Sequence, residues 1–230
     1  IMALSFGVAI MVGVGGSVRG GKYLGENNIA AASSIFSKTL SFMVLYGLVA
    51  IGTALLFERK LFFLLGAGEE LFPVMSDYYR IVTPFLFAQF ITIVLYFFVR
   101  LDGMPSLAAF SLALGAIVNI VLDYLFIAEY GWGLKGAALA TGLSEVCSMI
   151  ILLSYFFRHD RTLRFKLWQS DWIEVLKSAY NGISEFINEV SGGIITFIFN
   201  WMLIQRAGVS GVAAITVVNY ALMVGFMVFW

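Results

Sequence analysis

Charge is scarce in this sequence. Only 12% of its 230 residues are Asp, Glu, Lys or Arg, roughly half the share of an ordinary soluble domain. The 14 basic and 14 acidic residues cancel, and no basic stretch is large enough for nucleic acid, so a nucleic-acid partner is excluded. Cysteine is reduced to Cys147 within an apolar run. It forms no internal disulfide and no thiolate metal set, and is expected to pack as a small buried hydrophobe. The single histidine, His159, lies in a charged stretch and is expected to be solvated. There is no H-E-x-x-H, no G-x-S-x-G and no Ser/His or Cys/His set, so an enzyme is not expected and no cofactor is implied. The glycines of VGVGGSVRGGKYLG fail the dinucleotide fingerprint, because G-x-G-x-x-G needs Gly where Val18 stands. Small residues there suit close helix approach in a membrane. Of three prolines, Pro84 falls within an apolar run and is expected to kink its helix.

What is abundant is apolar surface: 61% of residues are hydrophobic, 16% are aromatic and the mean hydropathy is +0.94. A hydrocarbon core about 30 Å thick takes about 20 apolar residues per helix. Seven spans are expected, at about 1–18, 35–57, 78–99, 105–128, 134–157, 179–204 and 209–230. The fold class is therefore all-α, a polytopic helical bundle whose partner is the lipid bilayer. The sequence is hydrophobic at both ends, so it is expected to be part of a longer, transporter-sized protein. The longest connections are 58–77 and 158–178. Alternating the loops puts nine Lys and Arg on one side and five on the other, and the nine-charge side is expected to be cytoplasmic. Segment 158–178 is the candidate boundary between two helical bundles. With Leu163, Phe165, Leu167 and Trp168 set among basic residues, it either lies along the membrane surface or is a solvated linker.

The most informative residue is Asp123, a carboxylate inside the run SLALGAIVNIVLDYLFIAEYGWG. An ionisable group in hydrocarbon is expensive and usually marks an ion or proton path. Asn119 lies one helical turn before it, on the same face. The turn EYGWG, centred near Gly131, joins two antiparallel helices. Counting outward at about 1.5 Å per residue puts Asp123 and Thr141 at similar depth, roughly 12–15 Å from the turn. Asn119 and Glu145 form a second level one turn deeper. A carboxylate, an amide oxygen and a hydroxyl are hard oxygen ligands suited to Na⁺. The same carboxylate in a low-dielectric site can instead carry a proton. A hydrogen-bonded knot that only holds helices together is the structural alternative. A second carboxylate pair lies in NGISEFINEVSGG: Glu185 near the cytoplasmic end and Glu189 one turn deeper, the better placed of the two for an ion or substrate contact.

The stretch NIVLDYLFIAEYGWGLKGAALATGLSE resembles the N-x-x-L-D … G-x-G-x-x-G-A-A-x-A-T signature of the multidrug and toxic-compound extrusion (MATE) transporters. SVRGGKYLGENNIAAA, LLGAGEELFPVMSDYYRIVTPF, FVRLDGMPSLA and GISEFINEV are weaker matches. The resemblance implies a twelve-helix fold of two six-helix lobes, of which this chain runs from the second helix into the eighth. Residues 1–157 would be N-lobe helices, 158–178 the cytoplasmic inter-lobe linker and 179–230 the start of the C-lobe. It also implies that Asp123, Asn119 and Thr141 bind the coupling ion, Na⁺ or H⁺. Ala137, one turn before Thr141, would add its backbone carbonyl, and Glu189 would match an acidic residue implicated in coupling. The implied function is antiport of small organic, often cationic, compounds by a monomeric multi-pass protein of a prokaryotic plasma membrane. A lipid-linked-precursor flippase would need an arginine-rich groove, and no arginine lies clearly within an expected span. A non-transporting structural membrane protein is the other alternative.

Overall fold

The structure is a computed structural model that describes residues 2–64, 69, 72–158, 161–166 and 171–229. His159, Leu167, Trp168 and most of the LGAGEEL stretch lie outside the described residues. Every regular element among the described residues is helical. They are α1 (Met2–Gly25), α2 (Ile29–Leu56), α3 (Glu58–Leu64), α4 (Phe72–Leu101) and α5 (Pro105–Asp123), then a π-helical turn (Tyr124–Glu129), α6 (Gly133–Tyr155), α7 (Ile173–Asn181) and α8 (Ile183–Phe229). Among the described residues, six helical segments, Leu4–Gly25, Ile29–Leu56, Met75–Leu101, Pro105–Glu129, Gly133–Tyr155 and Ile183–Leu203, are long and apolar enough to cross a membrane. The expected turn between the last two spans is a break inside α8 at Gly208, whose φ of 63° is left-handed.

The sequence expectations place several boundaries wrongly. α1 runs to Gly25, not 18, because Arg19 and Lys22 lower the hydropathy without ending the helix. The stop comes at Asn27, in the left-handed region at φ 57°, and Asn28 caps α2 by accepting the Ala31 N–H at 3.0 Å. α2 therefore starts at Ile29 instead of 35. α4 starts at Phe72 instead of 78 and continues to Leu101 through Pro84. Segment 58–77 contains α3, and α7 begins within the expected linker. Arg19, Arg80 and Arg100 fall inside membrane-length helices, contrary to the expectation of no arginine clearly within a span. Cys147 is half-buried, not buried.

Helix α4 is the hub, packing on α1, α2, α5 and α6. Its Val94, Leu95, Phe98 and Val99 are fully buried. Phe36 of α2 stacks on Phe156 at 4.6 Å between centroids and leans on Phe98 at 5.0 Å, which places the aromatic core at the nine-charge end of the bundle. By contrast, the apolar window of α8 has no buried residue and that of α5 few. Such apolar exposure suits lipid or protein contact, not water.

After α6, the described residues 161–166 are held against the bundle by side chains. Asp102, in the turn between α4 and α5, accepts the backbone N–H groups of Thr162 (3.1 Å) and Leu163 (3.2 Å) and the Tyr155 hydroxyl (2.9 Å). Ser33 and Ser37 of α2 accept the N–H groups of Arg164 (3.1 Å) and Lys166 (2.9 Å). Leu163 is fully buried. The stretch is thus an extended strap whose backbone donors are satisfied by side chains, as a buried non-helical backbone requires.

A second seam joins α1 to α7 and α8 in antiparallel register, with levels one helical turn apart. Gly7 faces Phe186, Gly182 faces the Met11 carbonyl, and Gly15 faces the Ser178 carbonyl. At the next level Arg19 is ion-paired with Glu174, which also bonds Tyr23 (3.1 Å) and Lys177 (3.0 Å). Small residues at successive turns let the two backbones touch.

Candidate cation site

Two close approaches fix α5 against α6. A Cβ on Gly115 would lie 2.1 Å from Ser148 Oγ and 3.4 Å from the Ser144 carbonyl. A Cβ on Gly136 would lie 2.9 Å from Phe126 Cβ. Asn119 and Asp123 continue the Ser111–Gly115 stripe of α5 at four-residue steps, so they sit on this seam. Their level is the stretch of α6 between Gly136 and Ser144, which contains Ala137 and Thr141. Gly131, with φ 66°, lies midway in sequence between Phe126 and Gly136, so the turn centre expected from the sequence is the observed one.

Each of the two polar side chains has one orphaned atom. Asp123 Oδ1 and Asn119 Nδ2 are buried and have no hydrogen-bond partner among the described residues. The surrounding hydroxyls are spent on backbone carbonyls: Ser111 on Ala108 (2.7 Å), Ser144 on Thr141 (2.7 Å), and Ser148 on Ser111 (3.1 Å). An unmet carboxylate oxygen in an apolar seam is costly, which is the condition under which a bound cation or a proton is held.

Immediately after Asp123 the helix widens. The Tyr130 N–H reaches back five residues to Leu125 (3.0 Å), and Trp132 bonds Phe126 (2.8 Å). Phe126 stacks on Trp132 at 5.0 Å. Such π-turns recur at functional sites because they re-aim neighbouring side chains.

The remaining candidates divide clearly. Ala137, Thr141 and Glu145 form one stripe of α6, about 100° from the Gly136–Ala140–Ser144–Ser148 stripe that packs on α5. Thr141 is exposed there, while Ala137 and Glu145 are half-buried. Gly142, on the next face, packs on the Phe85 ring of α4. Glu189 is half-buried and Glu185 exposed on α8. Among the described residues that helix touches α1 and α7 but neither α5 nor α6, so Glu185 and Glu189 are not brought to Asp123 there. Sequence reasoning passed over Asp102 and the Arg19–Glu174 pair. The LDGM turn was a signal for the first. The second joins residues 155 positions apart, and nothing local announces it.

Electrostatics at the strap end differ from those of the seam. Burial pushes the Glu174 carboxyl up. The hydrogen bonds from Lys177, Arg19 and Tyr23 and the Arg19 charge outweigh that and hold it at about 2.

Comparison with known proteins agrees with this architecture. The chain is 26% identical over 208 residues to the multidrug export protein MepA of Staphylococcus aureus (strain MRSA252), covering 88% of this chain and 46% of that protein. It is 24% identical over 207 residues to MepA of Staphylococcus saprophyticus, with the same coverage. A multidrug resistance MATE family transporter of the MOP superfamily in an inward-facing conformation superposes with a TM-score of 0.89 at 27% identity, over 98% of this chain and 52% of that one. An outward-facing structure of such a transporter gives 0.82 at 28% identity, over 97% and 50%. The chain thus spans about half the length of the relatives it matches. It is an all-α, multi-pass membrane protein, and residues 1–125 match the MatE family. With the fold and more than half of the sequence in agreement, the chain belongs to the MatE family.

Proposed function

We propose that this chain carries the cation-coupling seam of a secondary antiporter. In it, Na⁺ or H⁺ at Asp123 drives export of small organic compounds across a prokaryotic plasma membrane. The observation that carries the reading is the pair of buried, unpartnered polar atoms on Asn119 and Asp123, set in a close-packed seam beside a π-turn. The multidrug export activity named for the MepA relatives supplies the class of cargo. The ion does work only if its affinity differs between the inward- and outward-open states. Residues 1–157 and 179–230 would then belong to two lobes that move against one another, with the strap and α7 between them. Thr141 and Ala137 complete the ion shell in the state where α6 turns their stripe toward Asp123. Glu189 acts from the second lobe, and Glu145 and Glu185 are peripheral.

The test is ethidium efflux from membrane vesicles carrying the full-length protein, under an imposed Na⁺ or pH gradient. Wild type transports under one of the gradients, and Asp123→Asn loses gradient-driven efflux while remaining inserted. Wild-type efflux by the variant would refute the proposal. The flippase alternative gains little from the arginines in the membrane-length helices: Arg19 is paired with Glu174, Arg80 with Glu58, and Arg100 lies at the last turn of α4.

A further inference from the structure

Helices α1, α2, α3 and α4 line a cavity on the other side of α4 from the Gly142 contact with α6. Its volume is about 710 Å³, and its wall includes Tyr46, Ala50, Phe57, Phe62, Tyr79 and Phe90. That size lies within the roughly 300–1,000 Å³ of pockets that hold a drug-sized molecule. No carboxylate lines it. At the α3 end, Phe57 is shared with a shallow depression that contains Arg59 and Lys60. Lys60 lies over the Phe57 ring at 5.7 Å and Arg59 over the Phe63 ring at 5.6 Å. Lys60 has no carboxylate partner among the described residues. Arg59 has only Glu69, at 3.2 Å, and both of those side chains are more than half exposed, so the pair is weak and screened. Glu58, next to them, is buried; its Oε2 accepts from Arg80 at 2.8 Å, while its Oε1 has no hydrogen-bond partner among the described residues.

We infer that this cavity binds one acyl chain of an anionic glycerophospholipid, whose phosphate is held by Lys60 and Arg59. The geometry is amphiphilic in the required sense. An aromatic and aliphatic slot opens beneath two cations on α3, the short helix at the end of two membrane-length helices. Lys60 and Arg59 follow the end of α2 away from the nine-charge side, so they would pair directly with a phosphate of that leaflet, while the aromatic wall accepts the chain. An aromatic wall also attracts organic cations; the basic rim opposes their entry, and displacement by ethidium separates the two occupants. The inference needs only that the protein lives in a bilayer, and stands whether or not Asp123 couples transport.

The experiment is native mass spectrometry of the protein released from nanodiscs of equal phosphatidylglycerol and phosphatidylcholine. Wild type retains phosphatidylglycerol in excess. The double variant Lys60→Gln with Arg59→Gln loses that excess by roughly 5- to 30-fold, the factor expected for removing one or two cations at the headgroup level. Ala50→Phe, which fills the cavity, lowers retention of both lipids. Should Ala50→Phe fail to fold, the charge variant decides alone, since both of its positions are exposed. A phosphatidylglycerol excess that survives the charge variant overturns the inference. So does a retained lipid that ethidium displaces, which would make the cavity a substrate site.

Discussion

Gly15→Ala tests the seam that ties α1 to α7. A Cβ at this position would stand 1.8 Å from the Ser178 carbonyl oxygen and 2.7 Å from its carbon. The obstacle is backbone, so no side-chain rotation relieves it, and the two helices must separate. Overpacking of this kind costs about 1–3 kcal/mol. At about 2–4 °C per kcal/mol for a chain of this size, the melting temperature should fall by about 2–12 °C. Separation also stretches the Arg19–Glu174 pair one turn away, so the change propagates along the register. Gly52→Ala is the matched control: it sits in α2 with nothing within 4 Å of the added carbon, and by helix propensity alone it should be neutral or stabilising by up to about 1 kcal/mol. Size-exclusion thermostability in detergent measures both. If Gly15→Ala melts with Gly52→Ala, the close approach is not a constraint and the register argument fails.

Other expectations follow from the same contacts. Gly136→Ala pushes on Phe126, displaces the π-turn and should raise the half-saturating coupling-ion concentration without changing ethidium affinity; a larger change in ethidium affinity would contradict it. Asp102→Ala removes the acceptor for Thr162, Leu163 and Tyr155, so limited trypsin digestion should cut faster at Arg161 and Arg164, and unchanged cleavage would refute the strap. Glu174 is held at about 2, below the ordinary carboxylate value. Its contribution to stability is therefore complete above about pH 4.5 and is lost as pH falls toward 2. The melting difference between wild type and Glu174→Gln should be constant from pH 7 to 5 and shrink below that; a difference that grows on acidification would reverse the sign of the argument.

The parts of this fold legible in the sequence are those with local signals. The α5–turn–α6 hairpin was legible because the glycines of EYGWG mark a turn, and 131 and 133 do take left-handed φ values. Counting outward from that turn put Asn119 and Asp123 opposite the stretch holding Thr141. Rotation was not legible, since one residue changes the face by about 100°, and Thr141 is exposed on a stripe beside the seam. The spans were legible from hydropathy but their ends were not. Windows that stop at the first charge cut α1 short at Arg19, whose charge is met by a residue far along the chain. The strap was illegible for a related reason. Its order comes from acceptors on α2 and at Asp102, while its own polar composition reads as solvated.

The central claim is that Asp123 holds the coupling ion, and equilibrium ion binding to the purified protein tests it most directly. Na⁺ binding and, in weakly buffered solution, proton uptake and release are measured for wild type and Asp123→Asn. Wild type should bind a Na⁺ ion or exchange a proton on addition of ethidium, and Asp123→Asn should do neither. Equal binding and equal proton exchange by the two proteins would contradict the account.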